Sequence, residues 1–196
     1  MFLEAIDFTA EMVGVAHKRL GRTLFAIAVK ERQGLLPSAF VDVWFLVDAA
    51  HRLWDLVHGL PGLKKGTPFH SFERKLRPFE GLRHGMQHLK KQIVDVLEPR
   101  DEPVWGSLAW LTLPEGHTGP VILTFVMPGL VRVGKRPGLK IPSRERLHPP
   151  VDRVQLSAFG LPTVSLTEFV EALRAFLPEI QAGVRPRGGP SSGSVQ

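Results

Sequence analysis

Length, composition and charge exclude several classes of protein for this chain. It has 196 residues, 43% of them hydrophobic, and a formal net charge of +6, so it can bury the core of one soluble globular domain. It has no cysteine, which excludes disulfides and thiolate metal sites. The first residues are acidic where a secretory signal is basic, and no apolar run reaches about 18 residues, so we expect a cytoplasmic protein that does not enter a membrane.

Hydrophobic spacing predicts three long helices in the N-terminal half. Residues 4–31 carry apolar side chains at intervals of seven, which is typical of a helix with one buried face: Ile6, Val13, Leu20 and Ile27. Residues 37–60 begin with a proline and are apolar around most of the helix, as expected for the centre of a bundle. A third helix is predicted over residues 67–98, with a kink or restart at Pro78.

From residue 104 onwards the pattern changes to one that is typical of strands. Residues 104–113 and 121–127 are rich in β-branched and aromatic side chains and are separated by proline and glycine, which predicts a β-hairpin. Further short strands are predicted at 130–134 and 151–159.

The chain then returns to a helical pattern. Ser165-Leu166-Thr167-Glu168 is a capping box that predicts a helix over residues 165–182. Residues 183–196 are rich in Gly, Ser and Pro and predict a disordered tail. The fold class is therefore α+β in a single domain, 1–182: a helical bundle (4–98), an inserted β-rich annex (104–160) and a helix that returns to the bundle.

The segment Gly81-Leu82-Arg83-His84-Gly85-Met86-Gln87-His88 concentrates chemically useful side chains. An arginine can hold a phosphate while a histidine moves a proton near neutral pH. A helical projection places Arg83 at the edge of the buried face, and His84 and His88 away from it. Gly81 and Gly85 share the histidine side; because glycine inside a helix costs roughly 1 kcal/mol, we expect another helix to approach closely there.

Arg83, four intervening residues and His88, with the polar His84 directly after the arginine, resemble the HEPN superfamily over residues 37–98. The resemblance implies a helical bundle that pairs symmetrically, so that the arginine and histidine of both protomers line one cleft. It implies a metal-independent endoribonuclease in active members and a nucleic-acid-binding or inert scaffold in others. The position after the arginine is often asparagine in that family and is His84 here.

Two functional hypotheses follow. The first is a homodimeric endoribonuclease in which Arg83 stabilises charge on the phosphoryl group, His88 is the general base or acid, and His84 assists. The second is a non-catalytic dimerising module that binds RNA or an acidic partner. Both place the dimer interface at Gly81 and Gly85, and neither needs a cofactor.

A basic segment lies between the predicted strands. Residues 131–153 have a local charge balance of +5, from seven positive and two negative side chains. We predict RNA binding by six of these cations: Arg132, Lys135, Arg136, Lys140, Arg144 and Arg146. The alternative is a solvated basic loop that discourages pairing at a sheet edge.

Two further clusters have alternative interpretations. Asp48, Arg52 and Asp55 form a polar strip on residues 37–60 that either orients the Arg83 and His88 site or is simply solvated. Glu80, His84 and His88 recur every four residues and could bind zinc with a partner group, but no HExxH motif or cysteine pair accompanies them. Neither a glycine-rich phosphate loop nor a Gly-x-Ser-x-Gly elbow occurs, so we expect no bound metal or small-molecule cofactor.

Overall fold

The computed structural model describes residues 1–30, 32–61, 66–128 and 143–184. In these residues, helices and one four-stranded antiparallel sheet pack around a shared hydrophobic core. This confirms the predicted α+β class.

Three long helices form the N-terminal half, as the apolar spacing predicts. They are α1 (Phe2–Lys30), α2 (Leu36–His58) and α3 (Thr67–Gln87). α1 packs along α2, and α2 packs on α3. Their facing sides carry fully buried side chains, each of which stabilises the fold by about 1.5–3 kcal/mol: Ile6, Leu20, Leu24, Leu46, Leu53, Phe79 and Leu82.

The third predicted helix stays helical as far as Arg100 but is interrupted at His88, so the prediction of one continuous helix is wrong. α3 passes through Pro78 but ends at Gln87, and His88 forms a turn. Two short helical turns then flank a π-helical turn, Ile93–Leu97: α4 (Leu89–Gln92) and α5 (Glu98–Arg100). Met86 before His88, and Leu89 and Ile93 after it, pack against the same core, so the apolar spacing gives no sign of the interruption.

The sheet contains the predicted hairpin and one of the two predicted additional strands. Its strands run in the order β2-β1-β3-β4: β1 (Ser107–Thr112), β2 (Ile122–Val126), β3 (Val151–Ser157) and β4 (Val164–Ser165). Leu108 of the central strand pairs with Val126 on one side and Leu156 on the other. The strand predicted at 130–134 lies outside the described residues.

The sheet is more closely integrated with the helices than a separate annex would be. β3 packs against both α1 and the last helix, α6 (Leu166–Val184). The buried side chains of one sheet face belong to the same core cluster as the helix side chains: Leu108, Trp110, Val154 and Leu156. The β-rich region and the bundle are therefore stabilised by the same buried contacts.

α6 begins at the predicted capping box and returns to the bundle. The backbone N–H of Glu168 donates to Oγ of Ser165 at 3.2 Å, which is the N-cap hydrogen bond expected. The carboxylate of Glu168 does not complete the box but accepts a hydrogen bond from Nζ of Lys75 on α3. α6 packs on α1, α2 and α3, and residues 185–196 of the predicted tail lie outside the described residues.

The hydrophobic stretches of the described helices are too short or too interrupted by charge to cross a membrane.

His17 of α1 gives the fold a pH dependence. Burial lowers the pKa of His17 below its ordinary value of 6.5, Arg174 lowers it further, and Asp152 opposes the change. The unfolded chain therefore binds a proton at His17 more readily than the folded chain does. The contribution of His17 to the free energy of unfolding is fully present above pH 6.5, and it is lost as the pH falls towards the lowered pKa.

We therefore expect His17→Gln to reduce the loss of stability between pH 8 and pH 5. The measurement is urea unfolding of both chains across this range. An equal pH dependence of stability in the two chains would show that His17 is not its source. His148→Gln is the matched control, since His148 is an exposed histidine.

Candidate functional site

His84 and His88 lie side by side at the C-terminal end of α3. Both are exposed, their ring centroids are 4.5 Å apart and their planes are tilted by 55°. The backbone N–H of His88 donates to the carbonyl oxygen of His84 at 3.1 Å, which keeps the last turn helical up to His88. Two accessible imidazoles this close can act on one substrate, one accepting a proton and the other donating one.

Arg83 lies on a different side of α3 and contacts α2. Its Nε donates to Oδ1 of Asp48 at 3.3 Å, and its side chain is 31% exposed. Arg83 and His88 are five residues apart, which separates them by about 140° around an ideal helix. The structure thus brings His84 and His88 together, joins Arg83 to Asp48, and gives Arg83 no hydrogen bond to either imidazole within the described residues.

Asp48 binds two arginines at once. Its Oδ2 accepts from Nε of Arg52 at 2.7 Å while its Oδ1 accepts from Arg83. Burial by itself would raise the pKa of Asp48, but the hydrogen bonds from Arg52 and Arg83 together hold it below its usual value. Each interpretation of the polar strip therefore holds in part: Asp48 contacts Arg83, whereas Arg52 and Asp55 are largely exposed to solvent.

The expectation that another helix packs on Gly81 and Gly85 is wrong. The close approach comes from the loop after β3 in the same chain. A Cβ added to Gly85 would lie 2.4 Å from Cδ2 of Phe159, and one added to Gly81 would lie 3.2 Å from a methyl group of Leu161. Because the chain itself covers Gly85, the predicted dimer interface cannot include this glycine without moving Phe159.

Phe159 holds this loop against the helix end. Its φ of +57° is unusual for a bulky residue, and its buried ring lies 5.9 Å from that of Trp44 on α2. The next residue, Gly160, donates its backbone N–H to Oε2 of Glu102 at 2.8 Å. The glycine spacing indicated a close approach, but nothing local identified a segment more than seventy residues away as the partner.

An apolar cavity of about 790 Å³ lies beside the same helix end. Met86 of α3, Trp44 of α2 and Trp105 from the segment before β1 contribute to its wall. The indole Nε1 of Trp44 is buried with no hydrogen-bond partner in the described part of the chain. Local sequence patterns could not identify this cavity, since its walls come from four separate segments of the chain.

Most of the predicted RNA-binding cations lie outside the described residues: Arg132, Lys135, Arg136 and Lys140. The structure places Arg144 and Arg146 in one 3-10 turn, where Arg146 is exposed. The basic segment therefore stays a sequence prediction.

Within residues 1–30, 32–61, 66–128 and 143–184, no group of three His, Asp or Glu side chains is close enough together to hold a metal ion. The alternative zinc site at Glu80, His84 and His88 therefore has no support from this chain alone. Comparisons of the chain with protein-family models, with curated proteins and with solved structures found no match.

Proposed function

We propose that this chain is a HEPN-like, metal-independent endoribonuclease that acts as a homodimer, with Arg83, His84 and His88 at its site. The observation that supports this most is the exposed histidine pair, with ring centroids 4.5 Å apart, next in sequence to a partly exposed arginine. General acid–base catalysis of RNA cleavage needs two groups of this kind within reach of one phosphodiester.

The reaction uses the ribose 2′-hydroxyl as nucleophile. One imidazole accepts the hydroxyl proton as the 2′-oxygen bonds to phosphorus, and the other donates a proton to the 5′-oxygen as its bond to phosphorus breaks. The products are a 2′,3′-cyclic phosphate and a 5′-hydroxyl. His88 takes one of these roles and His84 assists.

Arg83 keeps donors for a phosphate despite its bond to Asp48. A guanidinium has five N–H donors in a planar fork. Only Nε of Arg83 is bonded within the described residues, so its Nη groups are left for a non-bridging phosphate oxygen. The hydrogen bond to Asp48 orients the guanidinium of Arg83. Because Asp48 also accepts a hydrogen bond from Arg52, its negative charge is divided between two arginines.

A non-catalytic, dimerising module that binds RNA or an acidic partner is the second candidate. It is favoured by the ion pair of Arg83 with Asp48, which offsets part of the positive charge of Arg83, and by the angular separation of Arg83 from His88. Incubating RNA with the purified chain and a chelator distinguishes the two candidates, because only the enzyme cleaves the RNA. If the chain is the enzyme, a variant without His88 should lose this cleavage.

RNA binding by the basic segment is expected to depend steeply on salt. Each phosphate contact with a single strand contributes a slope of about −0.7 to the plot of log affinity against log salt. Replacing Arg132, Lys135 and Arg136 with alanine should therefore flatten the plot by about two units. Fluorescence anisotropy with a labelled single-stranded RNA measures this.

The control removes the same charge elsewhere, from three exposed side chains: Lys30, Arg74 and Arg77. It should leave the slope nearly unchanged. Equal slopes for the native chain and the Arg132, Lys135 and Arg136 variant would assign the segment to solubility instead.

A further inference from the structure

α1 has a second apolar face that the described residues leave uncovered. One face is buried against the core, yet Phe8, Met12 and Val15 are 64%, 38% and 67% exposed. Their spacing of four and three residues places them together on one side of the helix, roughly 125° from the buried face. A helix of a monomeric protein normally carries charged and polar residues on that side, so these side chains indicate a contact with another molecule.

The exposed face borders a shallow groove of about 320 Å³ between α1 and α2. Phe45 of α2 lines the groove together with the three exposed side chains, and Glu11 and Arg19 lie at its edges. Arg19 is held in place by Asp42, a buried carboxylate to which its Nε donates at 2.8 Å. The patch is therefore an apolar strip bounded by charges, which is the composition of an interface centre with a polar rim.

The charges along α1 are arranged so that two copies of the helix attract one another when antiparallel. The N-terminal half carries Glu4, Asp7 and Glu11, and the C-terminal half carries Lys18, Arg19 and Arg22. Glu4, Lys18 and Arg22 lie within about 40° of one another around an ideal helix, so they share one flank of the exposed face. A two-fold axis across the strip places this flank of both copies on the same side.

We infer that a second copy of this chain docks on the exposed face of α1, with the two helices antiparallel. With the two-fold axis between Glu11 and Met12, Phe8 packs against the partner's Val15, and Glu4 lies between the partner's Lys18 and the partner's Arg22. Each contact occurs twice, as a two-fold interface requires. The two Glu11 side chains face one another on the same flank beside the axis, and their repulsion offsets part of this attraction. An anionic membrane surface fits this face poorly because the acidic half would be repelled. This interface uses none of the side chains at the end of α3, so it is a different surface from the shared cleft that the family resemblance implies, and its tests measure dimerisation without measuring RNA cleavage.

The first test is the mass of the chain at tens of micromolar, measured by sedimentation. The native chain should be a dimer, and Val15→Glu should be a monomer because each copy would bury a carboxylate against the partner's Phe8. Val94→Glu is the matched control, since Val94 is also an exposed valine, at 60%, but lies in the π-helical turn. A native monomer, or a dimer that Val15→Glu leaves intact, would overturn the inference.

The second test asks whether the other molecule is a second copy in this orientation. Glu4→Arg should weaken the dimer by about tenfold or more, because it places like charges together. The Lys18→Glu, Arg22→Glu double variant should weaken it similarly. Combining all three substitutions should restore the native dissociation constant, and so should mixing the two weakened chains. Failure of both restorations would overturn the antiparallel arrangement.

Discussion

Replacing His88 with alanine is expected to lower the rate of RNA cleavage by about 10² to 10⁴, the usual contribution of a general acid or base. The stability of the chain should change little because His88 is exposed and has no side-chain hydrogen bond within the described residues. Single-turnover cleavage of a labelled RNA in the presence of a chelator measures the rate, and urea unfolding measures the stability. His84→Ala should cause a smaller loss, since His84 only assists.

Arg83→Ala should lower the same rate by about 10² to 10³, the cost of removing one donor to the charge that develops in the transition state. Partly exposed ion pairs contribute only about 0–1 kcal/mol to stability, so loss of the contact with Asp48 does not explain such a decrease through unfolding. Arg52→Ala is the matched control, because it removes the other arginine on Asp48 and leaves Arg83 in place. Its rate should stay within a few-fold of native.

His148→Ala controls for the loss of an exposed histidine elsewhere and should leave the rate unchanged. Cleavage that survives both Arg83→Ala and His88→Ala would show that this site does not perform the reaction. The interaction module would then be the better account of these residues.

Gly85→Ala is expected to lower the free energy of unfolding by about 1–3 kcal/mol, the range for overpacking a well-packed core. The added methyl group would lie 2.4 Å from the ring of Phe159, and this ring is buried, so it has little room to move away. Guanidinium unfolding measures the change.

Gly14→Ala is the matched control on α1, where an added Cβ meets nothing within 4 Å. It should stabilise the chain by about 0.5–1 kcal/mol, since alanine is the better helix former. In a chain that already carries Phe159→Ala, Gly85→Ala should change the free energy of unfolding very little. The two substitutions affect one contact, so their effects are not additive. A Gly85→Ala variant as stable as the native chain would contradict the proposed packing.

Local patterns predicted most of the elements because each depends on residues close in sequence. The seven-residue spacing of apolar side chains is sufficient to indicate α1, and the Ser165 to Glu168 capping box indicates where α6 begins. The interruption at His88 could not be predicted in this way. Met86 and Ile93 lie on either side of His88 and pack against the same core, so the hydrophobic spacing continues across the break.

Only those features of the candidate site that depend on a single helix face could be predicted from the sequence. The helical projection placed His84 and His88 on an accessible side, and both are exposed. The polar strip of α2 indicated Asp48, which contacts Arg83. The covering of Gly85 was not predictable, because it depends on a loop residue with positive φ far along the chain. The predicted dimer interface therefore cannot include Gly85 unless Phe159 moves, and we propose the exposed face of α1 instead.

The chemistry of the RNA ends tests the proposed nuclease most directly. The native chain is incubated with an RNA oligonucleotide in excess chelator, and with the same oligonucleotide carrying a 2′-deoxynucleotide at the cleaved position. We expect fragments ending in 2′,3′-cyclic phosphate from the first oligonucleotide and no cleavage of the second at that position, since the 2′-hydroxyl is the nucleophile. Cleavage at the deoxynucleotide, or no cleavage of any RNA by the native chain, would contradict it.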